Sequence, residues 1–156
     1  MQIRLITVGS KQKKWIDLAF KEYQKRLPNE WCFSLEEIRT VKRRKNETSP
    51  SIIEREGEKI LRKLNNNELL IVLDERGEEL STQELAVKFH KLTKVCNKLC
   101  FVIGGPDGLS DAIKEKSNMN WALTKLTLPH GLVRIIFIEQ IYRLCTLLSG
   151  HPYHRN

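Results

Sequence analysis

The residues best suited to chemistry stand in the terminal tail, His151 to Asn156. The tail carries two imidazoles, a phenol and a guanidinium, on His151, Tyr153, His154 and Arg155. An imidazole exchanges protons near neutral pH, and a guanidinium holds anions. Chain ends are usually frayed and uninformative, so this composition predicts a reactive tail. The alternative is a disordered tail, which Pro152 and Tyr153 disfavour.

A second candidate site is the glycine loop, Ile103 to Leu109, which follows the apolar run Leu99 to Ile103. Gly104, Gly105 and Gly108 permit backbone conformations closed to other residues and let a ligand approach the main chain. The loop matches neither the dinucleotide fingerprint nor the phosphate loop that ends in GK[ST]. Taken alone, the motif is explained equally well by a structural tight turn.

Two further segments are expected at the same edge of a sheet. Leu73 and Asp74 end one apolar run, and residues 123–128 end a strand-like stretch that starts at Trp121. Ligands of open α/β sheets bind beyond the carboxyl ends of the strands. The three strand ends therefore predict a pocket for an adenosine-sized ligand, held largely by backbone amides.

The elements that would position these residues alternate between strands and helices, which indicates an α/β fold with a parallel sheet. Continuous apolar runs predict buried strands, and helical spacing or capping residues predict helices between them. The predicted strands are Ile3–Val8, Trp31–Ile38, Leu69–Leu73, Leu99–Ile103 and Trp121–Leu128. The predicted helices contain Trp15–Tyr23, begin at the caps Ser51 and Ser81, and span Ser110–Lys116 and Leu132–Leu148. Asp74 to Leu80 is predicted to be a turn, and Glu84 completes a capping box with Ser81.

The last predicted helix is apolar on almost every side, which indicates burial on two sides. In a chain of 156 residues, a subunit interface is a natural second wall, so a homodimer is expected. Arg134, Glu139 and Arg143 interrupt the apolar surface. Glu139 and Arg143, four residues apart, form either a structural ion pair or part of the site.

The positive charge is concentrated in the first part of the chain. Residues 1–63 hold 16 lysines and arginines against 9 acidic residues, and residues 64–156 hold 11 against 10. The densest cluster is Lys42 to Lys45, within the basic segment Arg39 to Pro50, which is expected to be mobile. A polyanion such as RNA is the natural partner, although a solvated basic loop would have the same composition.

The remaining composition indicates a cytoplasmic globular protein. The length fits one domain with one core, and no apolar run reaches the roughly 20 residues of a membrane span. The first residues resemble a strand and not a signal peptide. The four cysteines, Cys32, Cys96, Cys100 and Cys145, contain no CxxC pair and no zinc spacing, so reduced thiols are expected and a structural disulfide is the alternative.

Six motifs together resemble one family and span the chain: LITVGS, EYQKRL, IVLDERG, FVIGGPDGLS, LTLPHGLVRIIFIEQIYR and the terminal HPYHR. They are similar to the ribosomal large subunit methyltransferase H family, SPOUT-class enzymes that methylate N3 of a pseudouridine in 23S ribosomal RNA with S-adenosylmethionine. The resemblance implies one SPOUT domain over residues 1–156, a parallel α/β sheet with a C-terminal trefoil knot, and a homodimer. Periodicity alone would not suggest a knot, because knots are nearly absent among folds.

The resemblance also implies site residues. The family's contacts to the methyl donor fall on Leu73, Gly104, Leu123, Thr124, Lys125, Leu126, Thr127 and Leu128. Its tail, placed near the target base, falls on Tyr153, His154 and Arg155. Asp107 and Gly131 are expected to tolerate substitution. No metal is expected, and neither DNA nor a membrane is an expected partner.

The mechanism expected from these residues is methyl transfer to an imide nitrogen. N3 must lose its proton, so Arg155 is expected to stabilise the developing anion. His154 or a water would accept the proton, and Tyr153 would stack on or orient the base. The alternatives are a non-catalytic RNA- or ribosome-binding protein and a sensor of an adenosine ligand.

Overall fold

A computed structural model describes residues 1–9, 12–43, 45 and 47–150 of the chain. Five strands and five helices follow one another in this part. The strands are β1 (Gln2–Val8), β2 (Cys32–Ile38), β3 (Leu69–Glu79), β4 (Lys98–Ile103) and β5 (Met119–Ala122). The helices are α1 (Lys14–Gln24), α2 (Ser49–Leu61), α3 (Thr82–Val95), α4 (Asp111–Lys116) and α5 (His130–Leu148).

The strands form one parallel sheet in the order β2-β1-β4-β3-β5. In the centre, Ile6 of β1 pairs with Val102 of β4, and Val72 of β3 pairs with the same residue from the other side. All carboxyl ends therefore meet at one edge. The predicted parallel α/β fold is confirmed.

Helices cover both faces of the sheet, and side chains along each strand point alternately to the two faces. One face packs against α1, α3 and α5, and the other packs against α2 and α4. On the first face, Phe101 of β4 contacts the fully buried ring of Phe137 of α5, with centroids 5.0 Å apart. On the second, Cys100 and Val102 lie with Ile60 and Ile113. The strand sequences are continuously apolar because helices cover both faces of the sheet.

Three predicted boundaries are wrong. The predicted turn from Asp74 to Leu80 continues β3 as far as Glu79, since after a register shift Glu78 pairs with Trp121 of β5. β5 begins earlier, at Met119, and ends at Ala122, so residues 123–128 leave the sheet as irregular chain. Helix α2 follows Thr48 and has Pro50 in its first turn, a favourable place for proline, so Ser51 is not its cap.

The predicted capping box is confirmed, and the ion-pair alternative for Glu139 and Arg143 is present in the structure. Ser81 and Glu84 form the reciprocal capping box at the start of α3. Glu139 and Arg143 of α5 form an ion pair at 2.6 Å. Each of the two charged side chains therefore has a partner in the same helix.

Helix α5 buries one side against the sheet and leaves the other partly exposed. Phe137, Ile138, Ile141 and Leu144 are fully buried. Leu132, Ile135, Ile136 and Leu147 stay half-buried, and Leu148 is exposed. The sequence predicted that α5 is buried on both sides. Within one chain, one side is buried and the other is partly exposed.

Neither a membrane span nor a metal cluster occurs in the described part of the chain. None of its helices is long and apolar enough to cross a membrane. Nor does it contain three or more His, Cys, Asp or Glu side chains arranged to hold a metal. Cys32, Cys96, Cys100 and Cys145 are free thiols, and burial raises the pKa of Cys100 to about 12.

Candidate active site

A cleft of about 750 Å³ lies at the carboxyl edge of the sheet, and we call it the strand-end cleft. Leu73 of β3, Ile103 of β4 and Trp121 of β5 reach it from three adjacent strands. The glycine loop and residues of the irregular segment 123–128 form its walls. The volume falls in the range of small-molecule sites. The three segments that were expected to meet, at Leu73, in the glycine loop and at residues 123–128, thus line one cleft, although β3 continues past Leu73 and residues 123–128 are not strand.

The glycine loop is a tight turn whose backbone lies against itself. The N–H of Gly108 donates to the carbonyl of Gly105 at 3.0 Å, and Gly108 has a positive φ of 101°. A Cβ on Gly104 would lie 2.6 Å from the carbonyl oxygen of Gly108. Gly104 is therefore required by the loop itself. Its backbone still borders the cleft.

An ion pair joins two elements of the cleft. The ammonium of Lys114 on α4 lies 2.6 Å from the carboxylate of Asp74 on β3. Burial alone would raise the pKa of Asp74, but the hydrogen bonds from Lys114 and from the N–H of Arg76, with the positive charges, bring this pKa below its ordinary value. Asp74 is therefore an anion beside the cleft at neutral pH.

The segment after β5 contacts the part of β3 that follows Leu73. Thr127 donates its hydroxyl hydrogen to Glu75 at 3.1 Å. Leu123, Thr124, Leu126, Thr127 and Leu128 line the cleft. Lys125 does not line it: this side chain is largely exposed and lies 3.6 Å from Glu79. Lys125 nevertheless connects Thr124 to Leu126, both of which line the cleft.

A histidine that the sequence did not single out also lines the cleft. His130 begins α5, and burial together with the charge of Arg134 lowers its pKa, against the effect of a hydrogen bond with the backbone of Val8. Its Nε2 atom is buried without a partner among the described residues. The imidazole beside the cleft is therefore mostly neutral near pH 7. Its place directly after Pro129 at a helix start was the signal available in the sequence.

Arg134 fixes the start of α5 against the sheet. Its guanidinium lies 2.6 Å from Glu37 at the end of β2 and donates to the carbonyl of Gly9 after β1. The side chain is almost fully buried. Gly131 lies against Ile16 of α1, where a Cβ would be 2.2 Å from the Ile16 Cδ1 atom. The expectation that Gly131 tolerates substitution therefore conflicts with the packing.

The predicted site residues thus fall into two groups. The structure brings together Leu73, Gly104 and the segment 123–128 around the strand-end cleft. The predicted catalytic residues Tyr153, His154 and Arg155 lie outside the described residues, so their assignment stays a prediction. Sequence reasoning missed Lys114 and His130, which reach the cleft from helices distant in the chain.

The fold and the cleft together define an α/β protein with a cleft of small-molecule size at the carboxyl edge of a parallel sheet, where ligands of such folds bind. Residues 1–154 match the family model described as "Predicted SPOUT methyltransferase". A Pseudomonas fluorescens protein named "Ribosomal RNA large subunit methyltransferase H" is 43% identical over 155 residues, 99% of this chain and 100% of that protein. Proteins of the same name from Thioalkalivibrio sulfidiphilus and Hahella chejuensis are 43% and 40% identical, each over 99% of both chains.

The chain therefore belongs to the SPOUT methyltransferases and, among them, to the ribosomal RNA large subunit methyltransferase H family. It is a methyltransferase. This agrees with the resemblance carried by the sequence motifs.

Proposed function

We propose that this protein transfers a methyl group from S-adenosylmethionine to N3 of a pseudouridine in 23S ribosomal RNA of the assembled ribosome. One observation carries the proposal. In a chain that matches ribosomal RNA methyltransferases along its whole length, the three segments expected to hold the donor line one cleft.

The cleft suits the methyl donor in shape and in chemistry. Leu73, Ile103, Leu109 and Leu128 offer apolar walls for an adenine ring, and the glycine loop brings backbone amides to the rim. Carboxylates at the edge, on Asp74, Glu75 and Asp107, can accept hydrogen bonds from ribose hydroxyls or from an ammonium group. The residues that would hold the donor are Leu73, Gly104, Leu123, Thr124, Lys125, Leu126, Thr127 and Leu128.

Bound in this cleft, S-adenosylmethionine supplies an electrophilic methyl group on a sulfonium. The protein supplies the placement and the charge that the acceptor requires. N3 of the base lies between two carbonyls, and it would lose its proton as the N–CH3 bond forms and the S–CH3 bond of the donor breaks to release S-adenosylhomocysteine. Arg155 would stabilise the negative charge that develops on the carbonyl oxygens. His154 or a water would accept the proton, and Tyr153 would orient the base.

The RNA would bind along the basic segment and the neighbouring positive residues. Phosphate contacts from lysine and arginine fix the position of an RNA without reading its sequence. Lys42 and Lys45 are exposed and make no ion pair with another described residue. This charge is therefore available to a phosphate backbone.

The assembly proposed is a homodimer formed through α5 and α1. The half-buried side of α5 carries Leu132, Ile135, Ile136 and Leu147 beside the Glu139–Arg143 ion pair. Trp15 and Leu18 of the adjacent α1 are more than half exposed. A second copy would bury both surfaces. In such a dimer, the terminal tail of one subunit is free to complete the cleft of its partner.

The remaining features proposed are one SPOUT domain over residues 1–156, a trefoil knot near its C-terminal end, and a cytoplasmic location. The single sheet and the family match support the domain. The knot is proposed from the resemblance of the sequence motifs to the family and from the match to the family model. The cytoplasmic location is proposed because the proposed substrate is the ribosome. We propose that the reaction needs no metal.

Two measurements test the function. Calorimetric titration with S-adenosylmethionine should show binding to the wild type, whereas a pure RNA-binding protein would give no heat. Mass spectrometry of 23S ribosomal RNA should then show loss of one methylated pseudouridine in cells that lack the protein and its return on complementation. Donor binding without any change in the RNA would favour an adenosine-ligand sensor and contradict the proposal.

A further inference from the structure

The basic segment is attached to the glycine loop by a direct ion pair. The guanidinium of Arg43 lies 3.0 Å from the carboxylate of Asp107, and the same nitrogen donates to the hydroxyl of Ser49 at 3.1 Å. Asp107 is part of the glycine loop and lines the strand-end cleft. A residue of the RNA-binding surface is thus bonded to a residue of the donor site.

A buried carboxylate makes a second connection between the same two parts. Glu56 of α2 is 3% exposed, and its Oε1 accepts the N–H of Val41 at 3.0 Å. Its Oε2 is buried without a partner among the described residues. A Cβ on Gly105 would lie 2.4 Å from this Oε2, so the carboxylate lies directly behind the glycine loop.

Helix α2, which contains Glu56, also forms part of the wall of the cleft. Pro50 and Ile53, in its first turns, line the strand-end cleft together with the glycine loop. The next residue after Glu56, Gly57, lies against Ser110, where a Cβ would be 2.4 Å from the hydroxyl oxygen. Ser110 directly follows the loop. A shift of the basic segment or of α2 would therefore move a wall of the cleft.

We propose that Arg43 and Glu56 are positioning residues that couple RNA binding to donor binding, an inference that rests on the proposed function. A guanidinium has five N–H donors, so Arg43 can bind a phosphate while it keeps its bond to Asp107. An RNA phosphate that fixes Arg43 also fixes Asp107 and, through it, the glycine loop. RNA then strengthens donor binding, and by thermodynamic reciprocity the donor strengthens RNA binding by the same factor.

The test measures the coupling factor, which is the ratio of the donor-site dissociation constants without and with saturating ribosomes. The probe is labelled S-adenosylhomocysteine, which carries no methyl to transfer, and the ribosomes come from cells that lack this protein. Couplings between sites are typically 5- to 150-fold, so we expect a factor of at least ~5 for the wild type. Arg43→Gln and Asp107→Ala should each bring it close to one. The double variant should fall no further, because both changes remove the same bond.

Three variants separate coupling from simple loss of charge or of fold. Lys42→Gln removes a neighbouring positive charge that has no ion pair with a described residue, so it should weaken ribosome binding but keep the wild-type factor at saturation. Glu56→Ala should lower the factor. Glu56→Gln should keep it, because the amide oxygen still accepts the N–H of Val41.

The outcomes distinguish this inference from the function on which it rests. If the wild type binds the donor and transfers the methyl group but has a coupling factor of one, the coupling alone is overturned. A coupling factor in Arg43→Gln equal to that of the wild type would also overturn the coupling alone. Absence of donor binding by the wild type would overturn the proposed function and the coupling together.

Discussion

The ammonium of Lys114 lies 2.6 Å from the carboxylate of Asp74, so helix α4 is ionically joined to strand β3 beside the strand-end cleft. Both side chains are largely buried, and the bond keeps the pKa of Asp74 below its ordinary value against the opposite effect of burial. The pair closes one side of the cleft. Its removal would leave a poorly solvated carboxylate there.

We expect Lys114→Met to lower the free energy of unfolding near pH 7 by about 1–3 kcal/mol, the usual cost of losing a hydrogen bond to a charged group. A depressed carboxyl pKa stabilises the fold above the unfolded value, 3.8 for Asp74, and this contribution disappears as the pH falls through the folded value. The difference between the variant and the wild type should therefore shrink at pH 3.

Urea denaturation at pH 7 and at pH 3 measures both effects. Lys116→Met is the matched control, since Lys116 is exposed on the same helix and has no ion pair with a described residue. An equal loss of stability in the two variants would show that the pair with Asp74 is not the cause.

Gly104→Val should strongly weaken donor binding by distorting the glycine loop. A Cβ at this position would meet the carbonyl oxygen of Gly108 at 2.6 Å and the Cγ of Leu109 at 2.8 Å. Overpacking of this kind costs about 1–3 kcal/mol, so the sheet should survive. Calorimetry should show at least a tenfold weaker affinity for S-adenosylmethionine, whereas Ala112→Val, at an exposed position on α4, should bind as the wild type does. Normal affinity in Gly104→Val would mean that the loop is not part of the donor site.

The sequence predicted those elements whose cause is local. The apolar runs Leu69–Leu73 and Leu99–Ile103 indicated buried strands because each is covered on both faces, and Ser81 with Glu84 indicated a helix start because the capping bonds join residues three apart. The continuation of β3 to Glu79 was missed because the polar residues Glu78 and Glu79 form strand by pairing with Trp121 and Ala122 of β5. These pairs join residues 43 positions apart in the chain, so they leave no local pattern.

The same distinction applies to the cleft. Leu73, Gly104 and the segment 123–128 were predictable because carboxyl ends of parallel strands must meet at one edge. Lys114 and His130 were not, since each reaches the cleft from the start or the middle of a helix whose orientation depends on tertiary packing. Glu56 was hidden for the same reason: its burial behind Gly105 depends on how α2 packs on the sheet.

Arg155→Ala should keep the affinity for S-adenosylmethionine and lose turnover. A guanidinium that stabilises the charge on the imide acts mainly in the transition state, so its loss should lower the rate by ~10²–10³. Single-turnover assays on ribosomes that carry the unmethylated pseudouridine measure this rate. Arg155→Lys should recover part of it, because a positive charge remains. Near-normal turnover in Arg155→Ala would show that this residue has no part in the chemistry.

The protein should be a dimer in solution at low micromolar concentration. Ile136→Glu should shift it toward the monomer, because it places a charge in the apolar side of α5 that a second copy would cover. Light scattering measures the mass. Lys116→Glu, a change of charge at an exposed site on α4, serves as the control. A mass of about 18 kDa for the wild type, the value of one chain, would contradict the dimer and a cleft shared between subunits.

The central claim is tested most directly by the transfer of a labelled methyl group from S-adenosylmethionine, catalysed by the purified protein, to ribosomes from cells that lack it. We predict close to one methyl group per ribosome, located on N3 of a pseudouridine of the 23S RNA by nucleoside mass spectrometry. Bound donor with no label in the 23S RNA, or label on another base, would contradict the account.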